Sequence, residues 1–413
     1  MKTIYLDHAA TTPVSPEVLT AMQPYFSLHY GNPSEPHQWG QQARAAIDEA
    51  REKVAQFLGA KPQEIIFTSG ATEAINLAHK GLIEAIRDTR NVIRDTQNEK
   101  PHIITSSVEH KAVMETCKHL EKMGWADVTY LPVDKDGLVK IEDIQKSIKP
   151  ETVLVSIMYV NNEVGIIEPI AEIGQLLKKI NQSRTTNHQP LIYFHTDATQ
   201  AIQFLNCDVN YLGVDLLSLS GHKFYAPKGI GVLYFKKDTP LVRQQDGGGQ
   251  EYRSRAGTEN VPYIVGLGKA IELVQQNKVQ SANLRPELRS REFIEKLREK
   301  LINGVLKITK VKLVGDSKKN APHIATFLVE GVEGEAMLLL LSEKGIAASS
   351  GSACTSGLLE PSHVLLAMGY KPEQAHGSLR FSLGRGNTLA EIDYVIKVLP
   401  GIIRQLRKMA PKL

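Results

Sequence analysis

The chain has 413 residues, with 49 Lys and Arg against 45 Asp and Glu, 31 Gly, 20 Pro and 42% hydrophobic content, which excludes intrinsic disorder and collagen-like repeats. Its length predicts two or three domains with a sizeable core, and a net charge of +4 falls short of the clustered basic surface of a nucleic-acid binder, so no direct nucleic-acid partner is expected. The three distant cysteines Cys117, Cys207 and Cys354 exclude a disulfide framework; Asp7 interrupts any signal peptide and no run of about 18 apolar residues occurs, so a reduced, cytoplasmic protein without a membrane partner is expected.

In chain order, short apolar runs alternate with amphipathic ones between about residues 60 and 235. The runs lie at 65–67, 102–104, 153–157, 191–194, 216–219 and 232–235. That rhythm predicts an α/β domain with a mainly parallel, buried sheet. Helical spacing of apolar residues follows at 71–83, and a second helix is expected over 111–123. The polar stretches 87–100 and 181–190 read as surface insertions. From about residue 265 the texture changes: long charged amphipathic segments at 285–301 and 389–409 frame apolar runs at 324–329 and 379–383. A smaller α+β domain is expected there.

Ligands of such sheets gather at the carboxyl ends of strands, so the polar residues that follow the apolar runs carry the functional reading. Lys223, in Ser220-Gly221-His222-Lys223, is either solvated at a strand end or held in a pocket, where an amine of lowered pKa forms Schiff bases. Asp197 either caps a following helix or pairs with the nitrogen of a pyridine ring, the partner pyridoxal phosphate needs as an electron sink. The turn Ser69-Gly70-Ala71-Thr72-Glu73 suits an anion at a helix start, with Thr72 and Ser220 as further donors, although Thr72 serves equally as a cap. His110 is a structural histidine or one that stacks on a ring or moves a proton. Asn161 and Asn162 supply amides at another strand end.

Cys117 and Cys207 are expected to be buried and inert. Cys354 instead sits among small residues, Ala347-Ala348-Ser349-Ser350-Gly351-Ser352-Ala353-Cys354, and reads as the thiol of a mobile loop, poised for nucleophilic attack or sulfur transfer. Arg380 and Arg385 either snorkel to water or clamp a substrate carboxylate. No His and Cys pair shows zinc spacing, so no metal is expected.

Together with Tyr5-Leu6-Asp7-His8-Ala9-Ala10-Thr11-Thr12-Pro13, Asn161-Asn162-Glu163-Val164-Gly165 and Arg255-Ala256-Gly257-Thr258, these stretches resemble the cysteine desulfurases of the class V aminotransferase family, within the fold type I pyridoxal-phosphate enzymes. The resemblance implies a seven-stranded large domain over residues 16–262. It implies a smaller domain from 1–15 and 263–413, carrying a cysteine loop at about 346–358. It further implies pyridoxal 5'-phosphate bound by Lys223 in Schiff-base linkage, Asp197 on the ring nitrogen, Gln200 on the ring hydroxyl and His110 stacked on the ring. Asn161 would hold cofactor and substrate, and Ala71, Thr72, Ser220 and His222 the phosphate. Thr258 would reach the phosphate of the other subunit in a homodimer, and Arg380 would bind the carboxylate of L-cysteine. Sulfur would pass to Cys354 as a persulfide and on to an iron–sulfur scaffold or another acceptor, serving cluster assembly or thiolation of transfer RNA or cofactors; Cys354 is also a candidate transient iron–sulfur ligand. The alternatives are a class V aminotransferase or lyase, including selenocysteine lyase, or a subunit that binds without catalysis.

Overall fold

A computed structural model describes residues 3–93, 100–187, 189–279, 291–351 and 360–409. The strands are β1 (Ile4–Tyr5), β2 (Ile65–Thr68), β3 (His102–Ser106), β4 (Asp127–Leu131), β5 (Thr152–Ser156) and β6 (Tyr193–Asp197), followed by β7 (Leu216–Ser220), β8 (Gly231–Phe235), β9 (Val311–Leu313), β10 (Ile324–Val329), β11 (Ile346–Ala347) and β12 (Ser378–Ser382). Among these residues seven strands form one sheet in the order β2-β8-β7-β6-β5-β3-β4. Strands β3 to β7 pair in parallel, and β8 runs antiparallel between β2 and β7.

Every residue of β2, β3, β5 and β7 is buried, as helices on both faces require. Alternation along the strands feeds two cores. Ile65, Phe67, Ile104, Leu217 and Val232 meet the helices Gln38–Leu58 and Val261–Val279 on one face. Ile66, Ile103, Leu216 and Leu233 meet Ile75, Val113 and Leu120 on the other. Cys117 and Cys207 are both buried in these cores. The helix Lys111–Lys122 lies where the spacing predicts it. The segment expected at 71–83 is Ala71–Asn76, a wider π-type turn at Leu77–Gly81, and Leu82–Ile93.

Several expectations are corrected. Strand β4 carries no apolar run: it lies at one edge of the sheet, and its exposed or half-buried residues before Leu131 include Asp127 and Thr129. Strand β6 begins two residues later than the run at 191–194 and extends through His195, Thr196 and Asp197. These polar residues are admitted to the sheet because they are paired: His195 lies 2.8 Å from Ser156 Oγ and 2.9 Å from Ser218 Oγ, and Thr196 Oγ1 donates to the Ile157 carbonyl. The polar stretches are not simple surface insertions. Residues 87–93 continue the helix Leu82–Ile93, and residues 94–99 lie outside the described residues. Residues 181–186 complete the helix Ile170–Thr186, where Arg184 is buried and donates to the carbonyls of Pro190, Lys149 and Thr152.

In the C-terminal part β10 is flanked antiparallel by β12 and β9, and the helices Arg291–Val305 and Leu389–Met409 pack on this sheet. Residues 285–290 of the segment expected at 285–301 lie outside the described residues. Ile4 and Leu6 join this core, because β1 pairs in parallel with β11. The boundary read at 262 cuts through the helix Val261–Val279, whose Ile264, Leu267, Ile271 and Val274 pack in the larger core; the smaller core resumes at Ile294.

Candidate active site

The carboxyl ends of β6 and β7, the turn after β2 and the N-terminal segment at Ala9–Thr11 enclose a cavity of about 590 Å³. Lys223, in the tight turn after β7, lines it, and its Nζ donates to the carbonyls of Ala9 and Ala10, both at 2.7 Å. The amine is therefore held in a pocket. Asp197, the last residue of β6, is buried on the cavity wall. Its Oδ1 accepts from Thr199 N at 3.0 Å, which forms a turn; no helix follows it. Gln200 donates to the Ala9 carbonyl at 2.9 Å, so one carbonyl of the N-terminal segment is shared by Gln200 and Lys223.

The anion-suited turn is built by glycine. Gly70 has φ of 155°, open to glycine and hostile to other residues, and a Cβ on Gly231 would lie 2.6 Å from its Cα. The helix Ala71–Asn76 starts there, and its first amides have no intrahelical acceptor. Ser220, His222 and Lys228 line the cavity with this turn. Burial, with Lys223 and Lys228 close by, holds His222 down to about 4, so its ring is neutral and its Nδ1 lies 3.1 Å from Thr11 Oγ1.

His110 both lines the cavity and caps the helix Lys111–Lys122, its Nδ1 accepting from Ala112 N at 3.1 Å. Burial foremost, with Lys223 adding to it, holds this imidazole below its ordinary range against the opposing pull of Asp197. A neutral ring whose Nδ1 accepts must carry its proton on Nε2. Beneath it Glu109 is fully buried, accepts from Ser106 Oγ and Met158 N, and is pushed up to about 8 by burial.

Arg380, on β12, is 4% exposed and so does not snorkel to water. Its fork donates to the Asn162 carbonyl at 2.7 Å and to Asp7 Oδ1 at 2.9 Å, and it lines the cavity. Arg385 turns away and packs over the Tyr225 ring at 4.5 Å. Asn161 is fully buried behind the wall, where its amide donates to the Val108 carbonyl and its oxygen accepts from Glu163 N and Val164 N; Asn162 is the neighbour that lines the cavity. Thr258 is exposed and away from the cavity, but its stretch is tethered by Arg255, whose Nε meets Glu73 Oε1 at 2.8 Å. Glu73 in turn accepts from Ser69 N. Cys354 lies outside the described residues, three positions beyond the cavity-lining Gly351.

The profile of the family described as Aminotransferase class-V matches residues 4–395. A "Cysteine desulfurase IscS" from Methanosarcina thermophila is 49% identical over 410 residues, covering 99% of this chain and 94% of that protein. This chain belongs to the class V aminotransferase family, among its cysteine desulfurases. A solved structure titled "NIFS-LIKE PROTEIN" superposes with a TM-score of 0.85 at 36% identity, covering 98% of this chain and all of that one. Another, "SspA in complex with cysteine", has a TM-score of 0.74 at 38% identity, covering 94% of this chain and all of that one.

Desulfurases of this family depend on pyridoxal phosphate, and the cavity fits that group. Thr199 Oγ1, on the cavity wall, is buried with no hydrogen-bond partner among the described residues, and the glycine-built turn leaves helix amides open to an anion. In this desulfurase the segment Ala9–Thr11 is a cavity wall with no role legible in the sequence. Short, small side chains offer their backbone carbonyls, and backbone carbonyls are common to all residues.

Proposed function

We propose that the protein takes sulfur from L-cysteine, releases L-alanine and retains the sulfur as a persulfide on Cys354 for transfer to an acceptor protein. The observation that carries this is the convergence of Lys223, Asp197, His110 and Arg380 on one cavity whose wall includes Gly351. Gly351 is three positions before Cys354 in the sequence.

Bound pyridoxal phosphate supplies an electron sink for the substrate's carbon atoms. Lys223 would hold it covalently, Asp197 would pair with the ring nitrogen, Gln200 would face the ring hydroxyl, and Ala71, Thr72, Ser220 and His222 would take the phosphate. Asn161 acts from behind, holding the turn that presents Asn162. His110, with its proton on Nε2, offers a donor to the reacting atoms, which leaves the Lys223 amine as the base of the pair. Arg380 would bind the substrate carboxylate through the N–H groups that Asp7 and Asn162 leave open; its Nε has no partner among the described residues. The Cys354 thiolate then bonds to the substrate sulfur as the bond from sulfur to carbon breaks. The electron pair stays with carbon, which is protonated to give alanine.

We infer a homodimer in which Thr258, exposed and away from the cavity of its own subunit, reaches the other subunit's phosphate. An iron–sulfur scaffold is the acceptor we favour, with thiolation of transfer RNA or cofactors as other outlets and Cys354 as a transient cluster ligand. We place the protein in the cytoplasm; no helix among the described residues is long and apolar enough to cross a membrane. The cofactor domain is drawn as residues 16–279 and the smaller one as 1–15 with 291–409.

The deciding experiment is Cys354→Ala in the cofactor-loaded enzyme. Alanine formation and protein-bound persulfide should vanish while cysteine still alters the cofactor's absorption. Retained turnover would refute the proposal and favour an aminotransferase.

A further inference from the structure

Glu163 is a buried acid that the chemistry above does not use. Its backbone is held by Asn161 Oδ1, which accepts from its N–H, and by Thr326 Oγ1, which donates to its carbonyl at 2.6 Å. The carboxylate therefore projects from a fixed position, beside the Asn162 carbonyl that receives Arg380.

Two points close together in chain order, but each remote from Glu163, meet at this carboxylate. Ser362 Oγ donates to Oε2, and His363 Nδ1 lies 4.0 Å from Oε1. On the other side a Cβ placed on Gly351 would lie 2.9 Å from Oε2 and 3.7 Å from the Ser362 Cβ, so the glycine backbone rests against both. Gly351 and Ser362 bracket the segment that contains Cys354. The arrangement extends to the reacting centre: His363 Nε2 donates to the Glu109 carbonyl at 3.0 Å, one residue before His110, and Ser362 Oγ accepts from Leu365 N to start the helix His363–Ala367.

We propose that Glu163 is a positioning residue that clamps the two roots of the cysteine-bearing segment, Gly351 and Ser362, against the turn that presents His110. This rests on the reading of Cys354 as the sulfur acceptor. Holding both ends of a short segment raises the effective concentration of a thiol on it near the cavity, so the clamp acts on the sulfur-transfer step and leaves substrate binding alone.

The test compares Glu163→Ala and Glu163→Gln with wild type, each as the cofactor-loaded enzyme. Three readouts are taken: the cysteine dependence of the cofactor's absorption change, alanine release in a single turnover, and amide exchange in peptides covering 347–351 and 361–366. In Glu163→Ala, exchange in both peptides should accelerate at least about tenfold and alanine release slow by about tenfold, with cysteine affinity within about threefold of wild type. Glu163→Gln keeps an acceptor for Ser362 and should recover most of both losses. Gly351→Ala, whose new Cβ would press on the carboxylate, should slow alanine release as Glu163→Ala does. Unchanged exchange in Glu163→Ala, or a loss of cysteine binding in parallel with turnover, overturns the clamp. Absence of alanine from the wild-type enzyme would sink the desulfurase reading instead, and the exchange measurement would still decide whether Glu163 holds the two roots.

Discussion

Replacing Glu251 by alanine probes how the loop that carries Arg255 and Thr258 keeps its shape. Glu251 and Arg51 form a two-bond ion pair, at 2.8 and 2.9 Å, with both side chains 3% exposed. Glu251 also accepts from Phe67 N, and Arg51 donates to the Ile65 carbonyl while lying over the rings of Phe67 and Tyr252. The pair holds a strained turn: Glu251, Tyr252 and Arg253 have φ of 44°, 55° and 68°. Left-handed backbone costs non-glycine residues roughly 1–2 kcal/mol each, so the three together carry roughly 3–6 kcal/mol. Removing one partner of a buried pair costs about 3–5 kcal/mol, and relaxation of the turn returns part of it. A net local loss of about 3 kcal/mol corresponds to about a hundredfold in the opening equilibrium. Amide exchange in the peptide covering 249–258 and at Phe67 should accelerate by about that factor in Glu251→Ala. A double-mutant cycle with Arg51→Met should return a coupling of about 2 kcal/mol or more. Exchange within threefold of wild type would refute the argument that this ion pair holds the turn.

Lys223→Ala should lose alanine formation entirely and release the cofactor on gel filtration, read from the visible absorption of the protein peak. Arg380→Ala should raise the KM for cysteine by about 10- to 100-fold, the worth of a charge-assisted hydrogen bond, with a smaller change in kcat; equal losses in both would argue against carboxylate binding. Arg184→Ala strands buried carbonyls and should lower stability by about 3 kcal/mol, measured by urea unfolding, with cysteine affinity unchanged. Stability should also peak near neutral pH. Burial holds His8 and His79 at about 4 and His323 at about 3, so the unfolded chain binds more protons between those values and 6.5, and stability falls as pH drops through that window. Burial pushes Glu109 and Glu168 to about 8, so the folded state holds more protons between 4.5 and 8, and stability falls as pH rises there. His102 and His222 are also held at about 4, so five histidines act against two glutamates, and the urea midpoint should climb to about pH 6.5 and then decline towards 8. A midpoint that rises steadily from pH 5 to 8 would refute the assignment.

The cavity-lining residues are readable in the sequence wherever a polar residue follows an apolar run. Lys223 after β7 and Asp197 at the end of β6 are visible because a polar residue closing a buried strand of a parallel sheet must face the ligand end. Strand β6 was misplaced by two residues for a related reason: His195 and Thr196 look like loop residues until Ser156, Ser218 and the Ile157 carbonyl are seen to satisfy them. Arg184 misled in the same way, since a polar stretch hides a buried arginine as readily as an exposed one.

From residue order alone came the mainly parallel sheet, the anion-suited turn at Gly70, Lys223 and Asp197 as candidate site residues at strand ends, and the family; each is written in local spacing and residue type. Only the tertiary structure decided that Asn161 lies behind the wall while Asn162 faces the cavity, that Asp7 shares Arg380, that Val261–Val279 belongs to the larger core, and that Glu163 lies between Gly351 and Ser362. Those contacts join residues up to 373 positions apart, and which of many polar partners meets across such a distance is set by how the two cores pack.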